Sequence, residues 1–261
     1  QGSSGDDTFR IYQFTGAATV ERIDGNGGND VVAGTGSSDT LDFSATELAG
    51  ISMIDGGAGN DAITGSAGAD VIVGGTGSDN LNGGAGDDVF LLSGTDAGYD
   101  RIEGGAGFDI LQGSSGDDTF RMYQFTGAAT VERIEGKGGN DVVAGTGSSD
   151  TLDFSATELV GIAMIDGGAG NDAITGSFGA DVIVGGTGSD RLKGGLGSDT
   201  YRFGRGDGVD TVAENDATAG NADAAEFLAG IAADQIWMRH VGNNLEASII
   251  GTTDKLIVEN W

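Results

Sequence analysis

Aspartate residues recur along this chain at one fixed place in a short repeat, each followed two residues later by a large apolar residue. These side chains offer oxygen atoms as metal ligands. The chain has few alternatives, because it has no Cys and a single His. Oxygen donors favour hard cations over the metals that thiolates bind. We therefore predict metal ligands at Asp7, Asp30, Asp39, Asp61, Asp70, Asp79, Asp88, Asp109, Asp118, Asp141, Asp150, Asp172, Asp181, Asp190 and Asp199.

The repeat around each aspartate is nine residues long and begins with glycine. From Gly56 the chain reads GGAGNDAIT, GSAGADVIV, GGTGSDNLN and GGAGDDVFL, and from Gly167 it reads GGAGNDAIT, GSFGADVIV, GGTGSDRLK and GGLGSDTYR. Glycine at positions one, two and four permits positive φ and lets backbone carbonyls converge without a Cβ clash. Weaker units begin at Gly2, Gly25, Gly34, Gly104, Gly113, Gly136 and Gly145. We predict that the strongest turns add backbone ligands at Gly57, Gly59, Gly75, Gly77, Gly168, Gly170, Gly186 and Gly188.

The charge of the chain limits its possible partners. It has 41 acidic against 12 basic residues, a formal net charge of −29, 52 Gly and no Pro. A metal-free chain of this composition is expected to be disordered, because self-repulsion opposes compaction. Nucleic acid is not expected as a partner, because phosphate binding needs a basic surface. The sequence has no run of about 18 apolar residues, so no membrane span is predicted.

A second, longer repeat contains the first. Residues 1–84 recur as residues 112–195 with eight differences. None of the differences falls on position six or position eight of a nonapeptide. This pattern indicates an internal duplication with a period of 111 residues.

The nonapeptide GGxGxDxUx resembles the calcium-binding repeat of the RTX (repeats-in-toxin, haemolysin-type) family, over roughly residues 1–202. The resemblance implies an all-β fold, a right-handed parallel β-roll or β-solenoid, in which two nonapeptides make one turn. It also implies several Ca²⁺ ions between successive turns. Mg²⁺ is the weaker candidate, because it demands a stricter octahedron and keeps its waters.

In such a roll consecutive units lie on opposite sides, so stacked turns are two units apart. The carboxylate pairs expected to share an ion are Asp61 with Asp79, Asp70 with Asp88, Asp172 with Asp190, and Asp181 with Asp199. Position eight would point inward, with Ile63, Leu81, Ile174 and Leu192 in one ladder and Ile72, Phe90, Ile183 and Tyr201 in the facing one. Burial of each such side chain stabilises by about 1.5–3 kcal/mol, whereas ordering each residue costs about 1–2 kcal/mol. Metal binding must therefore supply part of the folding free energy.

Five spacers, residues 11–24, 43–55, 92–103, 122–135 and 154–166, interrupt the nine-residue period. We predict that they are longer loops within one solenoid, most of them ending in a short strand such as VERID, ISMID or DRIE. Ser44-Ala-Thr-Glu47 and Ser155-Ala-Thr-Glu158 have the form of a capping box and predict a helical turn. The spacers could be a binding face, although a decorative role is favoured because surface loops tolerate insertions.

The segment after Tyr201 abandons the repeat but keeps strand alternation. We predict domains at 1–202, the roll, and 203–261, a small C-terminal β cap that covers the end of the roll. Alternation predicts antiparallel strands near 235–240, 245–250 and 255–258, with a hairpin turn at Gly242-Asn243-Asn244. The segment resembles the haemolysin-related sequence that follows RTX arrays. Trp237 and Trp261 are expected to pack within it.

These features favour a non-catalytic, calcium-folded module of a secreted or cell-surface bacterial protein, serving as a stalk or scaffold of an adhesin. The alternatives are an accessory module of a secreted enzyme, such as a lipase, protease or polysaccharide-modifying enzyme, and a carbohydrate-binding module. Cell-surface or polysaccharide ligands would then be met through the parent protein. No catalytic motif is found, and the single histidine, His240, is expected to have a surface or packing role.

Overall fold

The computed structural model describes residues 1–15, 20–92, 98–126, 131–214 and 220–261. These residues form strands joined by tight turns, with one short 3₁₀ helix at Ala233–Gln235. The strands are β1 (Thr8–Arg10), β2 (Gln13–Phe14), β3 (Arg22–Asp24), β4 (Asp30–Thr35), β5 (Thr40–Asp42), β6 (Glu47–Ala49), β7 (Ile51–Gly57), β8 (Ala62–Thr64), β9 (Val71–Val73), β10 (Asn80–Ala85), β11 (Val89–Leu91), β12 (Arg101–Ala106), β13 (Ile110–Gln112), β14 (Thr119–Arg121), β15 (Gln124–Phe125), β16 (Arg133–Glu135), β17 (Asp141–Ala144), β18 (Thr151–Asp153), β19 (Glu158–Val160), β20 (Ile162–Asp166), β21 (Ala169–Gly170), β22 (Ala173–Thr175), β23 (Val182–Val184), β24 (Thr187–Gly188), β25 (Arg191–Lys193), β26 (Thr200–Phe203), β27 (Val209–Val212), β28 (Ala224–Phe227), β29 (Ile236–Val241), β30 (Asn244–Ile249) and β31 (Lys255–Val258). The predicted all-β fold is confirmed.

The chain divides into two compact units, Gln1–Arg121 with Ala128–Asp141, and Met122–Gly127 with Val142–Trp261. In the first unit β1, β4, β7, β9, β11, β13 and β16 lie side by side in that order, and β2, β5, β8, β10 and β12 form a second sheet. In the second unit the corresponding orders are β17-β20-β23-β26-β28 and β15-β18-β22-β25-β27-β31-β30-β29. Each unit is a right-handed parallel β-roll, as the sequence predicted.

The nonapeptide places its apolar residue inside the roll because side chains of a strand alternate between the two faces of a sheet. Each three-residue strand of the strongest runs has a buried centre between two more exposed neighbours. The register pairs these centres on adjacent strands, which confirms the predicted ladders within each unit. The paired and buried residues are Ile63 with Leu81, Ile72 with Phe90, Ile174 with Leu192, and Ile183 with Tyr201.

The spacers carry strands of their own. The pieces VERID, ISMID and DRIE contribute β3, β7 and β12, as predicted. The predicted helical turn at Ser44 is wrong. The Thr46 N–H donates to the Phe43 carbonyl at 2.8 Å in a β-turn, and β6 begins at Glu47. The Ser44 hydroxyl donates to the Asp42 carboxylate at 2.6 Å, so the polar side chain supports a turn rather than a helix.

The second capping-box sequence behaves in the same way. The Thr157 N–H donates to the Phe154 carbonyl at 2.9 Å, and β19 begins at Glu158. Phe154 is buried and stacks on Phe125, with ring centroids 4.9 Å apart. The spacers 43–55 and 154–166 therefore each bury a phenylalanine, Phe43 and Phe154, and return at once to strand structure.

The C-terminal strands follow the predicted positions. β29, β30 and β31 are antiparallel, and Gly242, with φ of +63°, lies in the turn between the first two. The expectation that both tryptophans pack within this segment is wrong, since Trp237 is 62 % and Trp261 70 % exposed. β29 is the last strand of its sheet in the described part of the chain, so its side chains face solvent.

Candidate metal sites between stacked turns

The predicted carboxylate pairs lie on adjacent turns and are joined by hydrogen bonds. The Asp61 N–H donates to Oδ1 of Asp79 at 2.7 Å. The same bond joins Asp70 to Asp88, Asp172 to Asp190, and Asp181 to Asp199, each at 2.8 Å. One carboxylate oxygen of the later aspartate is therefore used to fix the stacking of the two turns.

This bond recurs through both units and builds ladders of acids. Further steps connect Asp7 to Asp30, Asp39 to Asp61, Asp88 to Asp109, Asp118 to Asp141, and Asp150 to Asp172. Together these steps place all fifteen predicted acids in such ladders.

Four acids that the nonapeptide search missed extend the same ladders. The Asp79 N–H donates to Asp100 at 2.9 Å, and the Asp109 N–H donates to Glu132 at 2.7 Å. In the second unit, the Asp190 N–H donates to Asp210 and the Asp199 N–H donates to Asp223, each at 3.0 Å. Three of them share the tail of the repeat, an acid two residues before a large apolar residue, in Asp100-Arg-Ile, Glu132-Arg-Ile and Asp210-Thr-Val. A search for this tail without the glycine turn would have found them.

The second carboxylate oxygen of many ladder acids is buried without a hydrogen-bond donor. Such groups are rare in folded proteins, because an unpaired buried charge is costly. The side chains concerned are at most 2 % exposed. They are Asp30, Asp61, Asp88, Asp109, Asp141, Asp172, Asp190 and Asp199, each through Oδ2. These oxygens need either a proton or a cation.

The glycines shape the space beside each carboxylate. The eight glycines predicted as backbone ligands have φ between +92° and +145°. The expectation that position one also uses positive φ is wrong. A Cβ at Gly56 would lie 2.6 Å from Oδ2 of Asp61 and 2.4 Å from the carbonyl oxygen of Gly74. Position one is glycine because a side chain would fill the space that these two oxygens face.

The carbonyls of Gly57 and Gly168 also link neighbouring turns, since each accepts an N–H, from Thr76 and Thr187, at 2.9 Å. Within the described ranges no group of three or more acidic, His or Cys side chains could hold a metal by itself. A site here would combine carboxylates from two turns with carbonyls, a donor set that suits the flexible coordination of Ca²⁺. The residues present therefore fit a calcium ion.

A comparison with family models matches the model described as the RTX calcium-binding nonapeptide repeat (4 copies) at residues 15–45, 52–90, 95–121, 126–156, 164–183 and 175–210. This chain belongs to the RTX family. RTX repeats bind Ca²⁺ in multiple sites, and the β-roll is a structural calcium-binding module.

No curated protein matches the chain. Among solved structures, the extracellular lipase LipA from Serratia marcescens matches with a TM-score of 0.35 and 18 % identity. The match covers 89 % of the RTX chain and 43 % of the lipase chain, so the RTX chain spans less than half of that lipase. Among the described residues of the RTX chain, no helix has the length and apolar character to cross a bilayer.

Burial perturbs the carboxylates of the RTX ladders. It raises the pKa of Asp88 to about 7, against an opposing hydrogen bond from the Asp70 N–H, and the charges of Asp109 and Asp70 add to the rise. Burial likewise raises the pKa of Asp172 and of Asp199 to about 6. In the metal-free roll, these carboxylates therefore keep a proton up to a higher pH than an exposed aspartate does.

These pKa shifts predict that lowering the pH partly replaces calcium in stabilising the folded roll. A folded-state pKa above the unfolded value of 3.8 contributes stability that is complete below pH 3.8 and is lost as the pH rises through about 6 to 7. We expect the metal-free RTX chain to gain β structure between about pH 8 and about pH 5. Circular dichroism of chelator-treated protein measures this. An unchanged spectrum would contradict the prediction, and high salt at the upper pH controls for simple screening of charge.

Proposed function

We propose that this chain is a non-catalytic structural module of a secreted or cell-surface bacterial protein. It stays unfolded at low cytoplasmic Ca²⁺ and folds outside the cell when Ca²⁺ binds between its turns. In its parent protein the folded roll acts as a rigid stalk or scaffold, as in an adhesin.

The observation that carries this proposal is the set of buried carboxylate oxygens without donors in a chain of net charge −29. A fold that needs this many cations cannot form where they are scarce, because metal binding supplies part of its folding free energy. Millimolar calcium outside the cell meets that need, since extracellular calcium modules bind at about 10⁻⁴–10⁻³ M.

The ligands in this proposal are the position-six aspartates, together with carbonyls of the glycine turns. The strongest turns contribute Gly57, Gly59, Gly75, Gly77, Gly168, Gly170, Gly186 and Gly188. The ladder acids Asp100, Glu132, Asp210 and Asp223 stand where position six would stand on the following turn, so they join this set as candidate ligands.

A structural role is also favoured by the place of the one histidine. His240 is exposed in β29, opposite Leu245 on β30. A general base works inside a cleft, within hydrogen-bond reach of the proton that it removes. The position-six aspartates, which could act as acids or bases elsewhere, are taken up by the ladders.

The calcium concentration at which the chain folds tests this function. We expect the midpoint of folding to lie in the range of extracellular modules, about 10⁻⁴–10⁻³ M, by circular dichroism in calcium buffers. A midpoint at or below about 10⁻⁶ M, where intracellular sensors bind, would contradict folding after export. A Mg²⁺ titration over the same range is the control for a general divalent effect.

A further inference from the structure

The residue at position two divides the fifteen turns into two groups. Nine turns have Gly, Asn26 or Lys137 there, and the remaining six have Ser or Thr. Asn26 and Lys137 have φ of +65° and +70°, so they share the conformation of the glycines that they replace. Among the described residues, no Ser or Thr has positive φ. The Ser and Thr residues are Ser3, Thr35, Ser66, Ser114, Thr146 and Ser177.

In the Ser and Thr turns the aspartate is bound by its own turn. The Ser177 N–H donates to Oδ2 of Asp181 at 2.6 Å, and the Ser177 hydroxyl donates to the same oxygen at 3.0 Å. The N–H of the position-two residue makes this bond in all six turns, at 2.5 to 2.6 Å. We call these closed turns.

In two turns of the other group, those of Gly168 and Asn26, this N–H donates to a different acid. The Gly168 N–H donates to Asp166 at 3.0 Å, and the Asn26 N–H donates to Asp24 at 3.1 Å. Positive φ rotates the peptide away from the position-six carboxylate, and Oδ2 of Asp172 and of Asp30 is left buried without a donor. We call the turns with positive φ at position two open turns.

The two kinds of turn follow a fixed order. Each ladder begins with the aspartate of a closed turn, and every later nonapeptide in it is open. The first acids of the six ladders are Asp7, Asp39, Asp70, Asp118, Asp150 and Asp181. Among the described residues, each closed turn is therefore the first nonapeptide turn of its ladder.

We propose that the residue at position two decides which carboxylates ligate Ca²⁺: open turns present Oδ2 to the ion, whereas Ser or Thr ties up Oδ2 and marks the start of each calcium stack. This inference rests on the proposed function and deepens it. It removes the six closed-turn aspartates from the fifteen predicted ligands. In the closed turns the N–H of the position-two residue, joined in several of them by its hydroxyl, takes the place that the ion has on later turns.

Asp181 and Asp190, which lie at position six of consecutive nonapeptides, give a matched test in the full chain. Both are buried position-six acids of the same run, one in a closed and one in an open turn. We expect Asp190→Asn to lose about one bound Ca²⁺ per chain and to raise the midpoint of folding. Asp181→Asn is expected to keep the wild-type number of ions, because its amide oxygen can still accept the Ser177 N–H. Equilibrium dialysis at saturating Ca²⁺, with metal analysis, counts the ions.

Equal loss from the two variants, or no loss from either, would overturn the inference while leaving calcium-dependent folding intact. A wild-type chain that binds no Ca²⁺ would instead overturn the proposed function. If Asp190→Asn fails to fold at any Ca²⁺ concentration, an intact Asp181→Asn still supports the inference. Asp70→Asn and Asp88→Asn repeat the comparison in the first unit, where Asp70 is bound by Ser66 at 2.6 Å.

Discussion

In metal-free buffer the full chain is expected to be largely disordered and to gain β structure cooperatively as Ca²⁺ is added. The reason is the combination of −29 net charge with buried carboxylates that have no donor for one oxygen. Each nonapeptide buries only one inward apolar side chain, so apolar burial alone does not compensate for the entropy lost when nine residues are ordered. Far-ultraviolet circular dichroism and sedimentation velocity across a Ca²⁺ titration measure the transition.

Two controls separate ligation from screening. Sodium chloride at matched ionic strength lowers repulsion between exposed charges but does not ligate buried ones. Mg²⁺ is expected to be much less effective, because it keeps its waters and demands an octahedron. A well-folded spectrum in excess chelator at neutral pH would refute calcium-dependent folding.

Deleting residues 203–261 is expected to raise the Ca²⁺ concentration needed for folding and to cause association. The segment continues both sheets of the second unit. β28 pairs with β26, β27 pairs with β25, and β31 pairs with β27, all in parallel. Without them the last strands would present unpaired N–H and C=O groups, which are a template for edge-to-edge association.

Side chains add to the attachment of this segment. Glu214 accepts the Gly194 N–H at 3.0 Å and the hydroxyl of Tyr201, which lies buried on β26. The segment also supplies Asp210 and Asp223, which continue two of the acid ladders. We therefore propose that residues 203–261 cover the end of the roll and help to nucleate its folding.

The folding midpoint and sedimentation profile of residues 1–202 decide this proposal. Arg191→Asn is the matched control, because it removes the exposed ion pair of Arg191 with Glu259, at 3.1 Å, and leaves the strands in place. An exposed pair contributes about 0–1 kcal/mol, so this variant is expected to behave like the full chain. A truncated chain that stays monomeric and folds at the same Ca²⁺ concentration would show that the segment is an independent domain.

Much of the roll could be predicted from residues close together in sequence. Asp at position six and an apolar residue at position eight predicted the turn, the strand and its inward side chain, because the conformations involved are local. The same pattern predicted that Asp61 and Asp79 lie on adjacent turns, since they are two repeats apart. The predicted helical turn at Ser44 failed because Ser44 donates to Asp42 and supports a β-turn, and the predicted packing of Trp237 failed because the side chains of β29 face solvent.

What the sequence by itself determined is the repeat unit, the parallel β-roll and the need for a hard cation, since glycine turns, acids and apolar positions act over nine residues. Tertiary structure decided which acids complete each ladder and which keep an oxygen without a donor. Asp100 and Glu132 enter ladders because spacers of other lengths return the chain to the same edge. Asp181 and Asp190 occupy the same motif position, yet Ser177 donates its N–H and its hydroxyl to Oδ2 of Asp181, whereas Oδ2 of Asp190 is buried without a donor.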